Sequence, residues 1–264
     1  MKALLLNFAH EEERKELTHC LQRLGCTTTL NGDEDKDVNM VIASRLNSLG
    51  EVSPYVHSLC HLLVQRHPLL PDELRQLEKL VGEAGVKLQF SDAKLYEWRI
   101  GDVAQLVGAV KLAQLYRDRE GDVEQSAADL RTETLAVASV VKAKLSRVEK
   151  LRSTAACRSL LGFRTDFVNA ASAYFWLSGT VFSERHELRF FGSRGVAVVD
   201  VLRREANVRM FDGKTLSLPF LSEGESRERE VADFVARLRS KGQPAVSAAE
   251  MAVQREILRY LNFL

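Results

Sequence analysis

Apolar and polar positions follow two different periods along this chain, and the changes of period divide it into elements. Ala3 to Phe8 reads as a strand, and residues 11–24 place Leu17, Leu21 and Leu24 on one helical face. Thr27 to Leu30 is β-prone, residues 31–37 form a polar loop, and Val38 to Ala43 is another apolar strand. His61 to Gln65 is a short apolar run. Pro68, Pro71 and Asp72 punctuate it, and Leu74, Leu77, Leu80 and Val81 recur at helical spacing until Gly85. Val86 to Phe90 resumes as a strand. A strand, helix and strand in this order form the right-handed crossover of a parallel sheet. Over the first 91 residues the expected order is therefore β-α-β-β-(short helix)-β-α-β, a doubly wound sheet with its middle trimmed. Such sheets collect ligands at the carboxyl ends of their strands, where Arg66, His67 and Pro68 fall.

The second half reads differently. Leu95 to Leu106 is partly helical and Val110 to Tyr116 opens a second domain as a strand. Residues 126–148 carry Leu130, Thr134, Val137, Val141, Leu145 and Val148 at helical intervals with Ser126 as cap, although Leu135 to Val141 also reads as a strand. Phe163 to Leu177 is expected as a helix whose aromatic residues face a core. From Glu187 to Phe220, four β-prone runs separated by Gly192, Gly195, Arg203-Arg204-Glu205 and Asp212-Gly213 predict an antiparallel meander. Two helices, Arg227 to Leu238 and Ala248 to Leu261, close the chain, and its apolar tail is expected to dock on the fold. The expected fold class is α/β: a reduced parallel-sheet domain over 1–92, then an α/β (α+β) domain over 93–264 with a largely antiparallel open sheet and C-terminal helices.

Composition narrows the function. With 37 basic and 36 acidic residues the net charge is +1, which gives no general pull toward nucleic acid or an anionic membrane. No membrane span is expected, because no apolar run approaches 18 residues. Glu11, Glu12 and Glu13 stand where a signal peptide would need small residues, so the expected location is cytoplasmic. Cys20, Cys26, Cys60 and Cys157 form no CxxC pair. His57, Cys60, His61 and His67 lie close in sequence, but a strand from His61 carries His67 away, and no metal site is assigned.

A dinucleotide site needs glycines after the first strand, so that backbone amides reach the pyrophosphate. Here the turn is Asn7-Phe8-Ala9-His10-Glu11-Glu12-Glu13, without glycine. The three glutamates suit the positive end of a helix and repel a pyrophosphate seeking the same place. Asp33 or Asp35 stands where an acid would hold a ribose. No cofactor-binding residue is assigned.

Three stretches carry a family resemblance: CHLLVQRHPLLPDELRQLEKLVGEAGVKLQ, ELRFFGSRGVAVVD followed by MFDG, and REREVADFVARLRSKGQPAVSAAEMA. They resemble the Gfo/Idh/MocA family of NAD(P)-dependent sugar and polyol oxidoreductases. The resemblance implies a Rossmann-like first domain and a second domain whose open sheet forms the oligomer interface, hence a homo-oligomer, most simply a dimer. The family's Glu-Lys-Pro motif is matched by Arg66-His67-Pro68, which puts His67 in the place of the lysine and Arg66 in that of the glutamate. Its second motif is an aspartate followed four residues on by a histidine. Asp166 is followed by Ala170, and the neighbouring register from Thr165 gives Asn169. The glycine-rich loop, the lysine and the histidine are thus all altered together. The expectation is a truncated, divergent member: a pseudoenzyme with no cofactor, binding a small polar ligand in the interdomain cleft or acting as an oligomeric or regulatory component. The alternative is an NAD- or NADP-dependent oxidoreductase of a sugar- or polyol-like substrate. In it His67 is acid/base, with Arg66, Asp166 and Asn169 beside it.

Overall fold

In the computed structural model the described residues are 1–30, 37–65, 69–119, 130–154, 157–179, 184–240 and 246–260. Asp33, Asp35, Arg66, His67, Pro68, Ser126 and the terminal Leu261 to Leu264 lie outside them. By their contacts, the described residues of 1–93 and 223–252 form one compact unit, and those of 94–222 and 253–260 form another. The described residues of 223–252 thus group with the first unit by their contacts.

The first unit is a parallel sheet with helices on both faces. Its elements are β1 (Lys2–Leu6), α1 (Glu11–Arg23), β2 (Thr27–Leu30), β3 (Met40–Ala43), α2 (Leu49–His57), β4 (His61–Val64), α3 (Pro71–Glu83) and β5 (Leu88–Phe90). The strand order is β2-β1-β3-β4-β5, all pairs parallel. Residues of β1, β3 and β4 are buried on both faces, which explains why these strands read as continuous apolar runs rather than as alternation. Ala3, Leu5, Met40, Ile42 and Leu63 face Leu17, Cys20 and Leu21 of α1. The same core takes in Val231, Phe234 and Val235 of α7 (Glu223–Ser240), a helix from the far end of the chain. Phe234 is 1% exposed. Burial of such a ring contributes about 1.5–3 kcal/mol toward holding α7 on the sheet.

The second unit is built on an eight-stranded sheet of order β13-β12-β11-β10-β6-β9-β8-β7. It contains β6 (Val110–Asp118), β7 (Leu145–Thr154), β8 (Cys157–Phe167), β9 (Ser172–Ser178), β10 (Arg185–Gly192), β11 (Gly195–Asp200), β12 (Glu205–Met210) and β13 (Thr215–Pro219). The pair β6–β9 is parallel and the rest are antiparallel. The expected meander is present as β10 to β13. The helices of this unit are α4 (Ala93–Glu97, whose first residue belongs to the first unit), α5 (Ile100–Val107) and α6 (Arg131–Val141). The last helix, α8 (Ala248–Tyr260), starts in the first unit and ends in the second. Helices α5 and α6 pack on one face of the large sheet, against β10, β11 and β12 and against β6.

Two expectations are corrected. Residues 163–177 are not a helix but the end of β8, a turn and most of β9. Phe163 and Phe167 are four apart, a spacing that fits a helix and equally a period of two. The intervening residues decide for the strand: Thr165 is buried, while Arg164 and Asp166 are only partly so, and Ala173, Phe175 and Leu177 alternate in the same way. Phe163 and Phe175 stack across the two strands, centroids 4.3 Å apart. The long helix expected over 126–148 is shorter, 131–141. It stops at Lys142, whose φ of 49° is left-handed, and β7 follows. From Glu133 to Val141 every residue of α6 is buried, so no amphipathic stripe marks its limits in the sequence.

Candidate functional site

Open parallel sheets bind ligands at the carboxyl edge of their strands. β1 gives way to Asn7, whose φ of 60° is left-handed, a conformation that asparagine tolerates better than most residues. Asn7 Nδ2 donates to the carbonyl of Arg45 at 3.0 Å and to Glu51 Oε2 at 3.4 Å. Asn47 donates to the same carboxylate from its backbone at 3.0 Å and from its side chain at 2.9 Å. The Asn47 bonds hold the Glu51 carboxyl below its ordinary range. Together these contacts tie the turn after β1 to the turn after β3. Phe8 packs against the core under α1, and α1 then opens at Glu11 with Glu11, Glu12 and Glu13 in its first turn. Its N-cap is His10, whose side chain makes no capping bond.

A pyrophosphate in the ordinary pose needs free amides at that helix end and a backbone stripped of side chains. Three carboxylates and a side-chain-bonded asparagine do not fit it. The remaining motif residues of this edge, Arg66, His67 and Pro68, lie outside the described residues. Their neighbour Gln65 extends β4, its N–H donating to Ala43 O at 2.9 Å.

Beside that edge a groove of ≈ 270 Å³ runs between α1 and α7, with Gln65 at one side. Glu230 of α7 lines it and is 2% exposed. Ser91, the residue after β5, donates from Oγ to Glu230 Oε2 at 2.6 Å. Oε1 is closed to solvent and has no hydrogen-bond partner among the described residues. Burial pushes the carboxyl up to about 7 against the lowering effect of the Ser91 bond. Among the described residues no group of three or more potential metal ligands is gathered.

In the second unit Asp166 and Asn169 do not form a helix-borne pair. Asp166 Oδ1 accepts from Ser172 Oγ at 2.6 Å and from Arg164 Nε at 2.8 Å. Partial burial raises this carboxyl, but the bonds from Ser172 and Arg164 prevail and leave it below its ordinary range. Asn169 holds the turn between β8 and β9: its Oδ1 accepts from Ala171 N at 3.1 Å and its Nδ2 donates to Val141 O at 3.3 Å. The helix α6 contains no aspartate and no histidine.

A cluster missed in the sequence lies under the large sheet. Glu133 of α6, 2% exposed, has Oε1 at 2.9 Å from His186 Nε2 and 3.3 Å from Arg117 Nη1. Its Oε2 has no hydrogen-bond partner among the described residues. Trp98 meets His186 edge-on at 5.9 Å, and Phe220 stacks on Trp98 at 6.5 Å. The signal was available: an acid followed by Thr-Leu-Ala-Val-Ala is a polar residue inside an apolar helix, and buried polar groups are the informative ones.

No family model matches the chain, and no curated protein does. Solved structures match over nearly all of it. UDP-N-acetylglucosamine 3-dehydrogenase GnnA from Acidithiobacillus ferrooxidans superposes with a TM-score of 0.63 at 14% identity, covering 100% of this chain and 96% of that one. An oxidoreductase from Agrobacterium radiobacter, solved with NAD+, L-tartaric acid and magnesium, gives 0.63 at 12% identity over 98% and 94%. The dehydrogenase MviM from Clostridium difficile gives 0.64 at 8% identity over 100% and 99%. The chain shares the two-domain fold of these proteins. Within that fold, the parallel-sheet unit and the mostly antiparallel sheet unit have the order that the Gfo/Idh/MocA resemblance implied. Identities this low speak for the fold alone. No helix among the described residues is long and apolar enough to cross a membrane.

Proposed function

We propose that this protein has the oxidoreductase fold without ordinary NAD(P)-dependent catalysis, and acts by binding, as an oligomeric or regulatory component. The observation that carries the reading is the turn from β1 into α1. Glu11, Glu12 and Glu13 stand at the helix end where a pyrophosphate would sit, and Asn7 is committed to Arg45 and Glu51. Calorimetric titration with NAD+, NADH, NADP+ and NADPH tests it. No saturable binding by folded protein is expected. Micromolar binding of any of the four overturns the reading, and calls for a polyol and sugar oxidation screen with a His67→Ala control.

The same reading includes self-association through the large sheet. On the face opposite α5 and α6, β6, β9, β10 and β11 present Tyr116, Tyr174, Trp176, Phe191, Val196 and Val198, all half-buried within this unit. Rings and branched side chains on a broad sheet face suit a second copy of the same face, related by a twofold axis. Sedimentation of the purified protein is expected to give a dimer, and Val198→Arg a monomer. A wild-type monomer at all concentrations refutes this part.

A further inference from the structure

The groove between α1 and α7 is absorbed by neither the dinucleotide edge nor the large sheet. Its two walls are charged, and the charges do not balance. Arg23 pairs with Glu228. Arg227 is shared among Glu223 at 2.9 Å, Glu13 at 3.9 Å and Glu16 at 4.0 Å. Carboxylates therefore outnumber the guanidinium groups that answer them. Under them sits Glu230, whose carboxyl accepts from Ser91 at Oε2 and from the Asp92 backbone, while Oε1 has no partner among the described residues. A buried acceptor left unpaired is costly, and a hydrogen-bond donor that reaches it recovers that cost.

The wall also has a gap. A Cβ at Gly224 would meet nothing within 4 Å, so this stretch of α7 borders open space. The groove is slightly smaller than the ≈ 300–1,000 Å³ usual for drug-sized ligands, which suits a compact molecule.

We propose that this groove binds a small molecule carrying a primary ammonium group, with Glu230 as its buried counter-ion and Glu13 and Glu16 at its mouth. An ammonium answers both features at once, since it brings positive charge and three donors and has no acceptor to clash with carboxylates. Glu230 lines the groove, and the terminal torsion of a glutamate carboxyl is soft, so binding requires a partial turn that presents one of its oxygens to the ammonium. Of the charged groups around this carboxyl, which include Glu13, Glu16, Glu228 and Arg23 of the groove walls, Asp92 raises it and Arg227 lowers it. The ammonium requires the ionised carboxylate. Below about pH 7 Glu230 therefore gives its proton to the buffer as the ligand enters.

The test is independent of dinucleotide binding. Ethanolamine, putrescine and glucosamine are titrated calorimetrically into the full chain at pH 6.5, in two buffers of different ionisation enthalpy. Ethylene glycol and glucose serve as uncharged counterparts. Saturable binding of at least one amine, with heat that changes with the buffer and with no binding of the counterparts, is expected. Glu230→Gln keeps the shape and removes the charge, and Gly224→Leu fills the groove from a position with room for a side chain. Each is expected to weaken binding at least about tenfold. Binding of none of the amines, or unchanged affinity in either folded variant, overturns the proposal. Should Glu230→Gln fail to fold, Gly224→Leu decides.

Discussion

Glu133 of α6 and His186 of β10 approach to 2.9 Å beneath the eight-stranded sheet, and Arg117 of β6 lies 3.3 Å from the same carboxylate oxygen. The carboxylate thus stands between two cationic or potentially cationic groups in a site almost closed to water. Removing it leaves the Arg117 guanidinium buried without this counter-charge. Glu133→Ala is expected to cost about 3–5 kcal/mol in urea denaturation. Glu133→Gln, which keeps an acceptor oxygen, costs less. Equal stability of wild type and Glu133→Ala would show that the cluster is energetically idle.

Glu230 makes stability depend on pH in a particular direction. Its folded value of about 7 lies above the ordinary 4.5, so between those two values the folded state holds more protons than the unfolded. The contribution of the protonated carboxyl is complete below pH 4.5 and is lost as the pH rises through about 7. The loss amounts to roughly 3–4 kcal/mol, at ~1.4 kcal/mol per pH unit. Glu230→Gln mimics the protonated form and removes this dependence. Its stability relative to wild type is expected to rise between pH 4.5 and 8 in denaturant melts. A constant difference across that range argues that the carboxyl titrates normally.

Asn7 separates backbone from side-chain effects. Asn7→Gly keeps the left-handed φ and loses the bonds to Arg45 and Glu51, whereas Asn7→Ala loses both. Alanine pays roughly 1–2 kcal/mol more for the left-handed backbone. The expected order of midpoints in chemical denaturation is wild type, then glycine, then alanine. Alanine at or above glycine would mean that the turn relaxes out of this conformation.

Trp176 lies across Gly162 on the neighbouring strand, in register with it. A Cβ at Gly162 would stand 2.5 Å from the indole Cζ3. Gly162→Ala therefore pushes the ring off the sheet, at about 1–3 kcal/mol. In a Trp98→Phe background the emission reports Trp176 alone, and a red shift is expected on adding Gly162→Ala. An unchanged spectrum would place the indole elsewhere.

The first unit was legible because parallel strands buried on both faces write themselves as runs such as Met40 to Ala43 and His61 to Val64, and the helices between them carry separate stripes. The second unit was legible where turns announce themselves, as at Asp212-Gly213. It was misread where spacing is ambiguous: Phe163 and Phe167 satisfy both periods, and α6 is apolar all round. The site was harder still. Asn7 marked the absence of a glycine loop, but nothing local says that Ser91 meets Glu230, since 139 residues separate them. Glu133, Arg117 and His186 likewise come from three separate elements, brought together by sheet pairing that no window of sequence contains.

Helix α7 finishes a core that the first ninety-three residues begin. Until it arrives, Leu17, Cys20 and Leu21 of α1 and the strands behind them lack Val231, Phe234 and Val235 as cover. A chain emerging in order from its N-terminus must therefore form, or wait through, the whole large sheet before its opening segment is sealed. During that interval the apolar flank of α1 is open to chaperones or to other unfinished copies.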